Sequence, residues 1–114
     1  MGYVNLEPEQ IHTLLKRTDV EILDLRDRYS FELGHIQGAT PANDDNLRRL
    51  LKESPKDKSI LIYCYHGDNS LDMAMHFFEQ GYQQVFNING GWKAVHQYMQ
   101  RPGQVYNLLY GEIL

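Results

Sequence analysis

The stretch Ile60-Leu61-Ile62-Tyr63-Cys64-Tyr65-His66-Gly67-Asp68-Asn69-Ser70 decides how this chain folds. Its first four residues are β-branched, aliphatic or aromatic and read as a buried strand, whereas Leu71, Ala74, Met75 and Phe78 recur at helical spacing. Cys64 therefore stands at a strand-loop-helix turn. There, backbone N–H groups converge and a helix N-terminus adds partial positive charge, both favouring the nucleophilic thiolate. A plainer reading of the same position stays open, in which Cys64 fills a small apolar gap at a strand end.

Outward from this turn, strand and helix patterns alternate. Residues 3–6 suit a short edge strand, and Pro8 suits the first turn of a helix with Ile11, Leu14 and Leu15 on one face. Residues 20–25 read as a strand. A polar segment containing Gly34 and Gly38 follows, then Leu47, Leu50 and Leu51 at helical spacing, closed by Pro55. The helix over residues 71–80 ends at Gly81, residues 85–88 form the next strand, and Gly90-Gly91 turns into a last helix. Alternation of this kind predicts an α/β fold, a mostly parallel central sheet with helices on both faces, and such sheets bind ligands at the carboxyl ends of their strands. Cys64 is at such an end.

At 114 residues the chain fits a single domain, with a core over about residues 5–100 and an apolar tail over residues 101–114. The tail carries Val105, Leu108, Leu109, Ile113 and Leu114 after a Pro102-Gly103 break. That much apolar surface either packs back on the domain or forms a partner interface, a homodimer among the options. With 42% hydrophobic and 23% charged residues the composition is that of an ordinary soluble protein. No segment has the length of a membrane span, and the N-terminus lacks the pattern of a secretory signal, so cytoplasm is the expected setting. A net charge of -4 argues against nucleic acid as a partner. Lys16-Arg17 and Arg48-Arg49 read as solvated helix faces. One cysteine makes no intrachain disulfide, so chemistry at Cys64 needs an external thiol or small molecule to complete its cycle. His12, His35, His66, His76 and His96 are scattered without paired ligand spacing, and no metal or cofactor is expected.

Three stretches together resemble the rhodanese family, and most closely its bacterial single-domain thiosulfate sulfurtransferases. The first is Leu23-Asp24-Leu25-Arg26-Asp27 with Phe31-Glu32-Leu33-Gly34-His35-Ile36-Gln37-Gly38-Ala39. The second is the Cys64 loop, and the third is Gly81-Tyr82 with Ile88-Asn89-Gly90-Gly91-Trp92. The resemblance implies the rhodanese-like three-layer fold. It implies that Cys64 takes the outer sulfur of thiosulfate or another persulfide donor, holds it as a persulfide, and passes it to cyanide, a dithiol or a protein thiol, a thioredoxin-like dithiol protein among the acceptors. The loop Tyr65, His66, Gly67, Asp68, Asn69 and Ser70 then binds substrate. Asp24, Arg26, Glu32 and His35 are supporting residues. Physically, Arg26 is placed to fork onto Glu32 and fix the intervening loop, and His35 to fasten that loop by a hydrogen bond in preference to acting as a base. Gly34, Gly38, Gly90 and Gly91 are assigned to tight turns outside the active site, and Trp92 to a core anchor.

The loop departs from the family pattern in charge. Related enzymes commonly carry Lys or Arg in or just after it, whereas Asn69, Ser70 and Leu71 are neutral and Asp68 and Asp72 are negative. Weak use of thiosulfate is the expectation, with a protein or small-molecule persulfide as the natural donor. His66 is the nearest titratable cation in sequence. The phosphatases that share this fold need an arginine where Ser70 stands, so phosphate chemistry is disfavoured. The remaining alternative is a non-catalytic rhodanese-like module that binds a partner or senses oxidants.

Overall fold

The structure is a computed structural model that describes residues 2–17, 19–103 and 109–111. Five parallel strands form the central sheet, in the order β1 (Val4–Leu6), β6 (Gln84–Ile88), β5 (Ser59–Tyr63), β2 (Val20–Asp24) and β4 (Ala39–Pro41). The helices are α1 (Ile11–Leu15), α2 (Arg28–Leu33), α3 (Asp44–Glu53), α4 (Asn69–Glu79) and α5 (Gly91–Met99), with a 3₁₀ turn at Pro8–Gln10 before α1. A two-stranded antiparallel ribbon pairs β3 (Gly34–Ile36) with β7 (Leu109–Gly111).

β5 lies mid-sheet, and each of its five residues is buried. Its alternation divides the core: Leu61 and Tyr63 join Ile11, Leu14, Ile22, Ile88, Trp92, Val95 and Leu109 on one face. Ile60 and Ile62 join Leu23, Leu50, Ala74, Phe77, Tyr82 and Val85 on the other. Period-two side-chain alternation thus places α1 and α5 over one face and α3 and α4 over the other, giving three layers. Each fully buried aliphatic or aromatic side chain contributes about 1.5–3 kcal/mol relative to exposure.

The long elements follow the sequence reading, and the polar segment does not. Between residues 28 and 41 the chain forms α2, β3 and β4, where the sequence reads as a polar segment with tight turns at Gly34 and Gly38. Asp27 caps α2, accepting the Ser30 N–H at 2.9 Å on Oδ1 and the Ser30 hydroxyl at 2.9 Å on Oδ2. Those bonds hold its carboxyl below the usual range. Gly34 is extended strand backbone, not a tight turn. Part of the tail packs back: Leu109 is buried in the α1/α5 core and β7 closes on β3. Val105, Leu108, Ile113 and Leu114 lie outside the described residues. No helix among the described residues is long and apolar enough to cross a membrane.

Candidate active site

The carboxyl end of β5 delivers Cys64 to the middle of the sheet edge, and the chain then wraps around the sulfur before entering α4. The Gly67 N–H donates to Cys64 Sγ at 3.1 Å and the Ser70 N–H at 3.3 Å, while the thiol donates to Ser70 Oγ at 3.3 Å. Asp68, at the N-cap of α4, makes no side-chain cap bond. The sulfur therefore occupies the role usually taken by a capping oxygen, satisfying an otherwise orphaned N–H of the first helical turn. Two N–H donors and a helix N-terminus thus converge on one sulfur. Cys64 is only 5% exposed.

A second helix end closes the loop from the other side. The N–H groups of Trp92 and Lys93 donate to the Cys64 and Tyr65 carbonyls at 2.8 and 3.0 Å. The Cys64 and Tyr65 carbonyls thus face α5, while the Gly67 and Ser70 N–H groups face the sulfur. Gly91 enables the approach: its φ is +65°, and a Cβ there would lie 2.5 Å from the Cys64 carbonyl and 2.6 Å from the Gly67 nitrogen and the Tyr65 carbonyl. Gly67, with φ +92°, is pressed against the Gly90 and Gly91 nitrogens in return. The assignment of Gly90 and Gly91 to turns outside the site is corrected here, because the Gly90-Gly91 turn forms the wall of the cysteine loop.

Of the other loop residues, Tyr65, His66, Asp68 and Asn69 are exposed, and Gly67 and Ser70 are buried. The Tyr65 and His66 rings meet edge to face at 4.6 Å between centroids. Asp68 in the loop and Asp72 in the first turn of α4 both face solvent.

Asp24 and Arg26 lie beside the loop as a buried ion pair, with side chains 0% and 6% exposed. Arg26 Nη2 donates to Asp24 Oδ2 at 2.7 Å, and Nε reaches both carboxylate oxygens at 3.1 and 3.2 Å. Nη2 also donates to the Gly34 carbonyl at 2.6 Å, and the guanidinium lies 4.1 Å from the Trp92 ring centroid. Asp24 further accepts the Tyr63 hydroxyl at 2.6 Å, and that hydroxyl accepts the Ile36 N–H at 3.1 Å. Burial, and then the Asp24 carboxylate, push the Tyr63 phenol far above its ordinary value, so it stays a donor. The expected Arg26–Glu32 fork is absent. Glu32 instead accepts from Arg28 Nε at 2.9 Å on the exposed face of α2, because residues four apart share a helix face. His35 donates through Nδ1 to the Phe31 carbonyl at 2.7 Å, stacks on the Phe31 ring at 3.9 Å and meets Tyr110 of β7. It fastens α2 to the ribbon, away from the sulfur.

The residue that sequence reasoning missed is Asn87, 1% exposed on β6 and in contact with Ser70. A lone asparagine within Val85-Phe86-Asn87-Ile88 was the available signal.

The sequence profile of the rhodanese-like domain matches residues 7–98. The thiosulfate sulfurtransferase GlpE of Shewanella oneidensis is 34% identical over 96 residues, covering 84% of this chain and 95% of the relative. GlpE of Coxiella burnetii is 36% identical over 99 residues, covering 84% and 92%. Among solved structures, reduced CoADR-RHD of Bacillus anthracis superposes with a TM-score of 0.71 at 28% identity, covering 85% of this chain but 17% of that one. The rhodanese-like domain of the Anabaena Alr3790 protein superposes at 0.69 with 25% identity, covering 96% and 80%. With the profile spanning most of the chain and two relatives above 30% identity over most of both chains, the chain belongs to the rhodanese-like domain family.

Proposed function

We propose that this protein is a sulfurtransferase whose Cys64 carries the transferred sulfur as a persulfide. The observation that carries the reading is the cradle at Cys64 Sγ, where the Gly67 and Ser70 N–H groups donate to a sulfur at the N-terminus of α4. Support comes also from the thiosulfate sulfurtransferases of S. oneidensis and C. burnetii, which match most of both chains. The thiolate attacks the outer sulfur of thiosulfate, a new S–S bond forms, and the old one breaks with its electron pair leaving on sulfite. An acceptor thiolate or cyanide then attacks the outer sulfur of the persulfide, and the electron pair of the broken S–S bond restores the Cys64 thiolate. Backbone donors stabilise the negative charge at both stages without a metal.

Exposed Asp68 and Asp72 beside the cradle oppose a dianionic donor, so the reading favours a persulfide over thiosulfate as the better donor, with a dithiol or protein thiol as acceptor. Intact-mass measurement after incubation with thiosulfate, and separately with a persulfide, tests the proposal. Wild type is expected to gain one sulfur atom that reductant removes, more completely from the persulfide, and Cys64→Ser to gain none. No gain from either donor would sink the sulfur-transfer reading and leave a partner-binding module in its place.

A further inference from the structure

The Ser70 hydroxyl has one proton and two neighbours that can accept it. On one side is Cys64 Sγ at 3.3 Å, and on the other is Asn87 Oδ1, to which the hydroxyl donates. The orientation of the Asn87 amide is fixed by its surroundings. Nδ2 donates to Asn5 Oδ1 at 2.9 Å and faces the Gly67 and Ile88 carbonyls at 3.4 Å, and backbone carbonyls only accept. Oδ1 is thereby turned to Ser70. With its proton committed to Asn87, the hydroxyl shows Cys64 a lone pair, which suits a protonated thiol. A thiolate has no use for that lone pair. It gains a third donor only if the hydroxyl rotates toward sulfur, which strips a buried amide oxygen of its partner.

We propose that Asn87 is a positioning residue that holds the Ser70 proton away from Cys64 and restrains the reactivity of the thiol. The hydroxyl turns to sulfur only when Cys64 ionises for attack. The inference rests on the sulfur-transfer reading for its purpose, since the restrained group is the nucleophile of that reaction. Its mechanism needs only the thiol. The titratable groups on the elements around the sulfur are Tyr65, His66 and Asp68 in the loop, Asp72, His76 and Glu79 on α4, Lys93, His96 and Tyr98 on α5, Glu21 and Asp24 on β2 with Arg26 just after it, and Tyr63 on β5. All are unchanged in the variants below.

The test is the rate of Cys64 alkylation by iodoacetamide across pH, which requires no sulfur donor. Asn87→Leu, close in shape but without an acceptor, is expected to displace the rate profile about one pH unit toward acid, raising the rate about tenfold on its acid limb. In a Ser70→Ala background the same substitution is expected to change nothing, because the proton it frees is gone. Asn87→Asp keeps shape and acceptor, and is expected to alkylate more slowly than wild type. The proposal is overturned by an Asn87→Leu profile equal to wild type, by an equal shift without Ser70, or by Asn87→Asp reacting as fast as wild type. Persulfide loading, measured on the same variants, fails independently if the sulfur-transfer reading is wrong.

Discussion

Asp24 receives its own loop from several sides: the Arg26 backbone N–H at 2.8 Å, the Arg26 guanidinium, and the Tyr63 hydroxyl. A carboxylate taken wholly out of water is tolerated because every approach to it is a donor, one of them a fixed cation. Removing that cation leaves the charge buried and unpaired. Arg26→Ala is therefore expected to lower unfolding stability by about 3–5 kcal/mol. Glu32→Ala, which breaks only an exposed pair with Arg28, is expected to change it by less than about 0.5 kcal/mol. Urea unfolding of the two variants decides between the observed Asp24–Arg26 fork and the Arg26–Glu32 fork that the sequence suggested. The pair two residues apart was hidden because the fork bends around a turn after the strand, which no periodicity describes.

The Cys64 loop is held between two helix ends, and Gly91 is the point where the second end touches it. Alanine at Gly91 meets backbone atoms on three sides and a left-handed φ, so neither neighbour yields as a flexible side chain would. Gly91→Ala is expected to cost at least about 1–3 kcal/mol and to abolish sulfur loading of Cys64. Gly81, after α4, has φ +97° with nothing within 4 Å of the added carbon. Gly81→Ala is expected to cost about 1–2 kcal/mol for the backbone alone and to leave loading intact. Mass spectrometry and thermal melting of the pair separate a loop wall from an ordinary helix cap. The Cys64 turn itself was legible, because a buried strand, a glycine-containing loop and a helical period follow one another over residues 60–78. The wall was not, since Gly90-Gly91 looks locally like any strand-to-helix turn, and only the tertiary fold brings it to residue 64.

Among the described residues, every strand and helix of five residues or more except α2 was legible from apolar period and caps. Segments of three residues, β3, β4 and β7, carry too few side chains to show a period and exist only by pairing. The core they complete responds to pH as a unit. Tyr63 stays protonated in the fold, while an unfolded tyrosine ionises near pH ~10. Its contribution is fully present below that pH. It is lost as pH rises further, because the unfolded chain then sheds a proton that the native state keeps. Wild-type stability is expected to fall above about pH 10 with a slope that includes ~1.4 kcal/mol per pH unit from this one group, and Tyr63→Phe to lose that component. Denaturant titrations at several alkaline pH values measure the difference.

The β3–β7 ribbon joins chain segments far apart in sequence through the three residue pairs Gly34–Gly111, His35–Tyr110 and Ile36–Leu109. Such a closure recovers little buried surface for the long loop it must shut, whereas β5 is bonded on both sides and covered on both faces. The molecule is thereby built of units that open at different free energies. In native-state hydrogen exchange, the ribbon amides of residues 109–111 are expected to be replaced by deuterium through local opening well before those of residues 60–63, which wait for global unfolding. Equal protection of the two would mean that the last strand is as cooperative with the core as the first, and that the tail cannot detach without taking the cysteine cradle with it.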